Sequence, residues 1–279
     1  MPNGDYQAAR DAGGSPAAGL TGQRRAGHSR RSPGLDRRAG HAAISGSTPR
    51  TNGECKMDVV GIIPARAGSK RLPNKNLAPL DGRPLLSYTC RAALDSGVLS
   101  AVYINTDSRE LAAVAAEFGV ACPVLRPAQL ARDDTPMLDA NRFLLQWLAR
   151  RGETCDAVMI LQPTSPLRTP EDIQQAWATY EANAPCAVVS VSPVRPASWL
   201  GRVGKDGRFE PLPGQDVIYG LNGAIYIHDV EDYLADRRPT RTLVHPMPLA
   251  RGVDIDTAED LQYAEFLLRH AVPERCSAL

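Results

Sequence analysis

Val59-Val60-Gly61-Ile62-Ile63, running into Pro64-Ala65-Arg66-Ala67-Gly68-Ser69-Lys70-Arg71-Leu72-Pro73-Asn74-Lys75-Asn76, is the stretch on which the fold turns. A short apolar run rich in β-branched residues fits a strand buried on both faces. The loop after it carries Arg66, Gly68, Lys70, Arg71 and Lys75. A glycine lets backbone N–H groups come close to a phosphate, and Arg and Lys neutralise its charge. The GxxxxGK[ST] pattern of a Walker loop is absent. A basic run is often no more than a solvated surface loop, but directly after a buried first strand phosphate binding is the stronger reading.

Downstream, apolar runs alternate with helical periodicities. The pattern predicts helices over 84–95, 136–150 (Pro136 at the first helical position) and 170–182, and a last one opening at Thr257. Asp107 and Glu110 are spaced as a capping box before Leu111, Val114, Ala115 and Phe118. Strands are expected at 101–104, 157–161, 187–191 and 222–227. Strands alternating with helices imply an α/β fold with a mostly parallel sheet covered on both faces. Ligands of such sheets lie beyond the carboxyl ends of the strands, so the residues just after each strand are the candidates for chemistry.

The N-terminal part has another texture. Residues 1–56 hold ten glycines, nine Lys/Arg against four Asp/Glu, and few large aliphatics. Such a segment cannot bury enough apolar surface to offset its ordering entropy and is expected to be disordered. It reads as a dispensable tail or as the product of a start placed upstream of Met57; a basic arm for nucleic acid is the alternative, though its arginines are not interleaved with aromatics. Residues 57–279 are expected to form one domain. The net charge of +1 gives no whole-protein field for nucleic acid or an anionic membrane. Six widely spaced cysteines form no CxxC pair, which argues against zinc and for reduced thiols in a cytoplasmic protein. No apolar run reaches the roughly 18–20 residues that span a bilayer.

Ile62–Asn76 resembles the signature loop of the acylneuraminate cytidylyltransferases (CMP-sialic acid synthetases). Asn105-Thr106-Asp107, Leu125–Leu130, Leu161-Gln162-Pro163-Thr164-Ser165-Pro166-Leu167-Arg168, Asn222–Ile227 and Asp254-Ile255-Asp256-Thr257 agree with that family in order and spacing. The resemblance covers residues 58 to 270. It implies a Rossmann-like, three-layer nucleotidyltransferase (GT-A-like) fold, a homodimer, and transfer of CMP from CTP to an acidic 2-keto-3-deoxy sugar with Mg²⁺ or Mn²⁺ as cofactor. Arg66, Lys70 and Lys75 match its triphosphate positions. Ala65, Gly68, Ser69, Asn76 and Arg126 match nucleotide contacts, with Arg126 suited to the acceptor edge of cytosine or else an ordinary surface arginine. Gln162, Asn222 and Tyr226 match the sugar pocket, although Gln162 could simply tie down its loop.

Asp254 and Asp256 match the metal position, and Asp256 lies among the catalytic residues. In a strand, residues i and i+2 share a side, so both carboxylates could hold one hard cation with Ile255 turned into the core. The competing reading makes them a helix start, with Thr257 as cap. The sequence departs from the family before Asn222, where Gly220 and Leu221 replace an expected basic residue. Arg195 or Arg251 would then meet the sugar carboxylate. The first loop is most similar to the branch that handles legionaminic or pseudaminic acid. The rival readings are a cytidylyltransferase for the eight-carbon sugar Kdo and a catalytically silent nucleotide-binding module.

Overall fold

A computed structural model describes residues 57–270. The expectations for residues 1–56 lie outside the described residues, as do Cys55 and Cys276. Strand β1 (Val59–Pro64) is followed by the basic loop, a short hairpin of β2 (Pro79–Leu80) and β3 (Arg83–Pro84), and helix α1 (Leu85–Asp95). Then come β4 (Ala101–Asn105), α2 (Arg109–Glu117), α3 (Met137–Ala149), β5 (Ala157–Ile160) and α4 (Pro170–Glu181). Strand β6 (Ala187–Pro196), the hairpin β7 (Gly201–Val203) and β8 (Phe209–Pro211), and β9 (Val217–Asp229) follow. The described chain closes with α5 (Val230–Ala235), β10 (Thr242–Pro246) and α6 (Ala258–His270).

Six strands form one sheet in the order β10-β6-β9-β5-β1-β4. Five run the same way, and β9 lies antiparallel between β5 and β6. Side-chain alternation divides β1 between two cores. Val59 and Ile63 pack with α1, α2 and α4 on one face, whereas Val60 and Ile62 pack with α3 and α5 on the other. The three-layer expectation therefore holds. A third cluster, Leu80, Leu85, Ile255 and Ala264, fastens α6 to the β2–β3 hairpin.

Several local expectations change. The cap of α2 is Ser108, whose side chain accepts from Leu111 N, so Asp107 is not the capping residue. Pro136 precedes the first turn of α3 rather than occupying it. Strand β6 extends five residues past Val191, and β9 is twice as long as expected because it continues toward an exposed β7–β8 hairpin. Residues 253–256 form no strand, so the strand argument for Asp254 and Asp256 fails, although Ile255 is fully buried as expected. Ile255 N instead donates to Thr164 O at 2.8 Å. At the start of α4, Thr169 and Asp172 form a reciprocal capping box with Pro170 in the first turn.

The four described cysteines are free. Burial pushes the Cys90 and Cys155 thiols up to about 12, which makes them inert packing groups. No helix among the described residues is long and apolar enough to cross a membrane.

Candidate active site

The segments that follow the carboxyl ends of β1, β4 and β5, where a sheet of this kind holds its ligand, form the candidate cleft, and the basic loop after β1 is one of them. The loop is held by its own backbone. Ala65 N donates to Asn105 O at 3.0 Å, Ala67 N to Asp107 Oδ1 at 3.0 Å, and Ser69 N to Ala67 O at 3.0 Å. Ala65 is buried, and its N–H and that of Ser69 are engaged within the chain, so their part as placed is to shape the loop. Beyond Gly68 lies open space, with no atom within 4 Å of where a Cβ would stand.

The cations of this loop face two acids. Arg66 Nη1 and Lys70 Nζ each lie 2.5 Å from an oxygen of Asp133, and these two cations hold its carboxyl below the ordinary range despite some desolvation. Asp133 was not legible as a site residue. It stands in a polar loop between Leu130 and α3 beside a second aspartate, with no local signal to distinguish it. The other acid is Asp256, which takes Arg71 Nη1 at 2.7 Å and Lys75 Nζ at 2.8 Å. Lys75 is largely buried and also donates to Ile255 O at 2.8 Å. The first loop and the 254–256 segment, some 180 residues apart in sequence, are thus joined directly. Asn76 is buried; its Nδ2 donates to Arg66 O at 3.2 Å and its Oδ1 has no hydrogen-bond partner.

Arg126 is buried rather than on the surface. It donates from Nε to Asn105 Oδ1 at 3.1 Å and from Nη2 to Asn105 O at 2.5 Å. Burial lowers its pKa, partly countered by Asp107, whose Oδ1 accepts from Ala67 N of the basic loop.

On the opposite wall, the backbone carbonyl of Gln162 accepts from Arg168 Nη1 at 3.3 Å, while its side chain reaches Met137 Sδ at 3.9 Å. The backbone therefore ties this loop, and the amide stays half-exposed. Opposite it, the ladder between β6 and β9 bulges: Val189 pairs Tyr226 and Val191 pairs Leu221. Gly223 makes this possible at φ 78°, with a would-be Cβ 3.1 Å from Gln162 Oε1. Asn222 is turned into the wall. Its Oδ1 accepts from Ser190 Oγ at 2.5 Å and Ala224 N at 3.1 Å, and its Nδ2 donates to Ser192 Oγ at 3.0 Å. That amide shapes the pocket; it is not displayed to a ligand. Tyr226 is half-buried, and burial together with the charge of Asp254 raises its hydroxyl pKa.

Asp254 stands at the cleft surface yet is crowded by its walls. Loss of bulk water raises its carboxyl pKa, Thr164 partly counters this by a hydrogen bond, and the negative charge of Asp256 raises it further. The turn that delivers this segment passes close over Ser192 and Asn222. At Gly252 a Cβ would run into Ser192 Oγ and lie 3.0 Å from Asn222 Nδ2. Gly252→Ala is accordingly expected to cost roughly 1–3 kcal/mol by overpacking, a fall of several degrees in a thermal melt. An unchanged melting temperature would show that the turn has slack.

The comparisons with known proteins agree with this geometry. A family profile described as cytidylyltransferase matches residues 60–200, just over half of the chain. The chain belongs to the cytidylyltransferase family. It is 36% identical over 226 residues to a CMP-N,N'-diacetyllegionaminic acid synthase of Legionella pneumophila, covering 76% of this chain and 97% of that protein. It is 31% identical to an N-acylneuraminate cytidylyltransferase of Streptococcus agalactiae, covering 73% of this chain and 52% of that longer protein. A pseudaminic acid cytidylyltransferase of Campylobacter jejuni is 28% identical, over 75% of this chain and 95% of that one. Among solved structures, a CMP:2-keto-3-deoxy-manno-octonic acid synthetase complexed with CTP superposes with a TM-score of 0.62 at 17% identity, over 77% of this chain and all of that one. A 4-diphosphocytidyl-2C-methyl-D-erythritol synthase of Anaerococcus prevotii superposes with a TM-score of 0.59 at 16% identity, again over 77% and 100%. These two establish the nucleotidyltransferase fold. As a cytidylyltransferase, the chain is an enzyme of the nucleotidyltransferase class that uses CTP, and the silent-module reading falls away.

Proposed function

We propose that this cytidylyltransferase transfers CMP from CTP to the anomeric hydroxyl of an acidic nonulosonic sugar of the legionaminic, pseudaminic or sialic type, releasing pyrophosphate. The observation that carries the reading is the direct join between the basic loop and the 254–256 segment, in which Lys75 bonds Ile255 O and Asp256 Oδ1; cations beside hard oxygen donors support a phosphate-and-metal site. The relatives at 28–36% identity support the sugar class, whereas the Kdo enzyme is a likeness of fold alone.

In this account Arg66, Lys70 and Lys75 take the triphosphate and then the leaving pyrophosphate, and the phosphates displace Asp133 from the first two. The unpartnered Oδ1 of buried Asn76 is free to accept an N–H or O–H from the nucleotide. Arg126, held edge-on by Asn105, faces the acceptor edge of cytosine. The sugar's 2-hydroxyl oxygen attacks the α-phosphorus and gives up its proton to solvent, and the bond from that phosphorus to the oxygen bridging to the β-phosphorus breaks, releasing pyrophosphate. Gln162 donates to and accepts from the acyl and hydroxyl groups of the sugar, and Tyr226 closes the pocket beside Asp254.

The donor set suits Mg²⁺. Among the described residues no group of three or more His, Cys, Asp or Glu is arranged to hold a metal, but Mg²⁺ is commonly held by one or two carboxylates with waters and substrate phosphates. A cation would also offset the desolvation and, beside it, the Asp256 charge that raise the Asp254 carboxyl pKa. Asp254 and Asp256 would hold it, with Mn²⁺ as a substitute, and when bound it supplies positive charge to the phosphate oxygens.

The exposed arm made of the β7–β8 hairpin and the outer ends of β6 and β9 that lead to it carries Val194, Trp199, Val203, Phe209, Val217 and Tyr219, an apolar surface that fits a homodimer interface. Exposed Arg195 lies on the same arm, whereas Arg251 is engaged by Asp172, which makes Arg195 the better candidate for the sugar carboxylate. Reduced thiols favour the cytoplasm as its location.

Two measurements test this reading. Pyrophosphate release with CTP and each of legionaminic, pseudaminic, N-acetylneuraminic acid and Kdo should favour a nine-carbon sugar; preference for Kdo would reverse the assignment. Arg126→Ala should raise KM for CTP about tenfold and narrow the CTP-over-UTP ratio, given that a charged hydrogen bond contributes about 1.5–3 kcal/mol. Unchanged discrimination removes Arg126 from the base pocket.

A further inference from the structure

We propose that Asp172 is the positioning residue of this active site, a buried carboxylate that holds the Gln162 loop and the Asp254–Asp256 segment in mutual register. The inference rests on the proposed function and concerns a residue with no place in the chemistry described above. Asp172 lies in the first turn of α4 and is 2% exposed. Its carboxylate accepts from Thr169 N at 2.9 Å and Thr169 Oγ1 at 3.2 Å, which completes the helix cap. Three further contacts exceed what a cap needs. Arg251 donates from Nε at 3.0 Å and from Nη2 at 3.2 Å in a two-pronged pair, and His245 Nε2 lies at 3.4 Å.

Those contacts reach both walls of the cleft. Arg251 sits in the turn closed by Arg251 N and Gly252 N on Pro248 O, both at 3.0 Å, and the chain enters Asp254 two residues later. On the other side Arg168, 3% exposed, donates from Nη1 to Gln162 O at 3.3 Å and to Ala224 O at 2.7 Å. Its Nε and Nη2 have no hydrogen-bond partner, and Thr169, the next residue along the chain, is bound to Asp172 through both N and Oγ1. One buried acid therefore holds two segments: through Thr169 the end of the loop that Arg168 braces behind Gln162, and through Arg251 the turn that delivers the 254–256 acids. Removing one partner of a buried ionic group leaves the other uncompensated, and the surroundings shift to relieve it. Catalytic geometry tolerates little of this, since displacement by about 1 Å can cost a hundredfold.

The test is Asp172→Asn, nearly isosteric and still able to cap α4, with Arg251→Met as a second variant that leaves the cap and His245 in place. Folding is checked by circular dichroism. Mn²⁺ binding to the protein is measured by electron paramagnetic resonance, and KM for the sugar and for CTP by pyrophosphate release. Both variants are expected to weaken Mn²⁺ binding, and Asp172→Asn to raise sugar KM, each about tenfold. Constants equal to wild type with only a smaller active fraction would reduce Asp172 to a structural residue. A wild-type protein that turned over no acidic sugar would refute the proposed function instead, and the Mn²⁺ titration would still decide the bracing.

Discussion

Asp254→Asn is expected to lower turnover roughly a hundredfold, about 2.7 kcal/mol of transition-state stabilisation, within the several kcal/mol that a metal on phosphate supplies. Asp256→Asn should cost as much, yet the two should part company in stability. The folded-state carboxyl of Asp254 is raised, first by burial and then by Asp256. Ionising it therefore costs stability above its unfolded pKa, and that cost fades as pH falls through this range. Asparagine carries no charge at any pH, so Asp254→Asn should melt no lower than wild type in metal-free buffer at neutral pH. Asp256 pairs with Lys75 and Arg71, so Asp256→Asn should melt somewhat lower. EDTA should abolish wild-type turnover, and Mg²⁺ or Mn²⁺ should restore it. If both variants turned over within about threefold of wild type at limiting metal, the two aspartates would be a helix-start device alone. Thr257 and Asp260 already form such a device, with Asp260 Oδ2 accepting from Thr257 N at 2.8 Å and Asp256 N at 3.0 Å.

Lys75→Met should raise KM for CTP and lower turnover, by about tenfold to a hundredfold in the ratio kcat/KM. Lys75 is the one loop cation that is mostly buried, and its Nζ bonds both Ile255 O and Asp256 Oδ1 at 2.8 Å. Methionine keeps the stem but leaves Ile255 O and Asp256 Oδ1 without the ammonium donor, Arg71 alone remaining on that carboxylate. A hydrogen bond to a charged group contributes about 1.5–3 kcal/mol, which sets the expected range. Lys70 is much more exposed, with 78% of its side chain accessible, and its replacement should cost less because solvent screens it. Steady-state kinetics on the two variants checks the order; a larger loss at Lys70 would move the main phosphate contact outward along the loop.

The parts of this site that were legible in the sequence are those in which a short run carries its own physics. The apolar run before Pro64, the glycine and cations after it, and the apolar Ile255 between two acids each point to a strand, a basic loop at its end and a core anchor without knowledge of distant residues. What escaped depends on partners far along the chain. The reversed direction of β9 is set by its neighbours β5 and β6, and its apolar residues look the same either way up. Strand β10 lies at the sheet edge with mostly exposed residues, so no apolar run marks it. Asp133 acquires meaning only opposite Arg66 and Lys70. Asn222 looks like a ligand-facing amide until Ser190 and Ser192 are placed around it.

The central claim is the transfer of the α-phosphorus of CTP to an acidic nine-carbon sugar. The most direct measurement follows CTP labelled at that phosphorus through a reaction with the sugar and Mg²⁺. The account predicts that the label appears in a CMP-sugar, with one pyrophosphate released for each molecule formed. Label found only in free CMP, or retained in CTP with every acidic sugar offered, would contradict it.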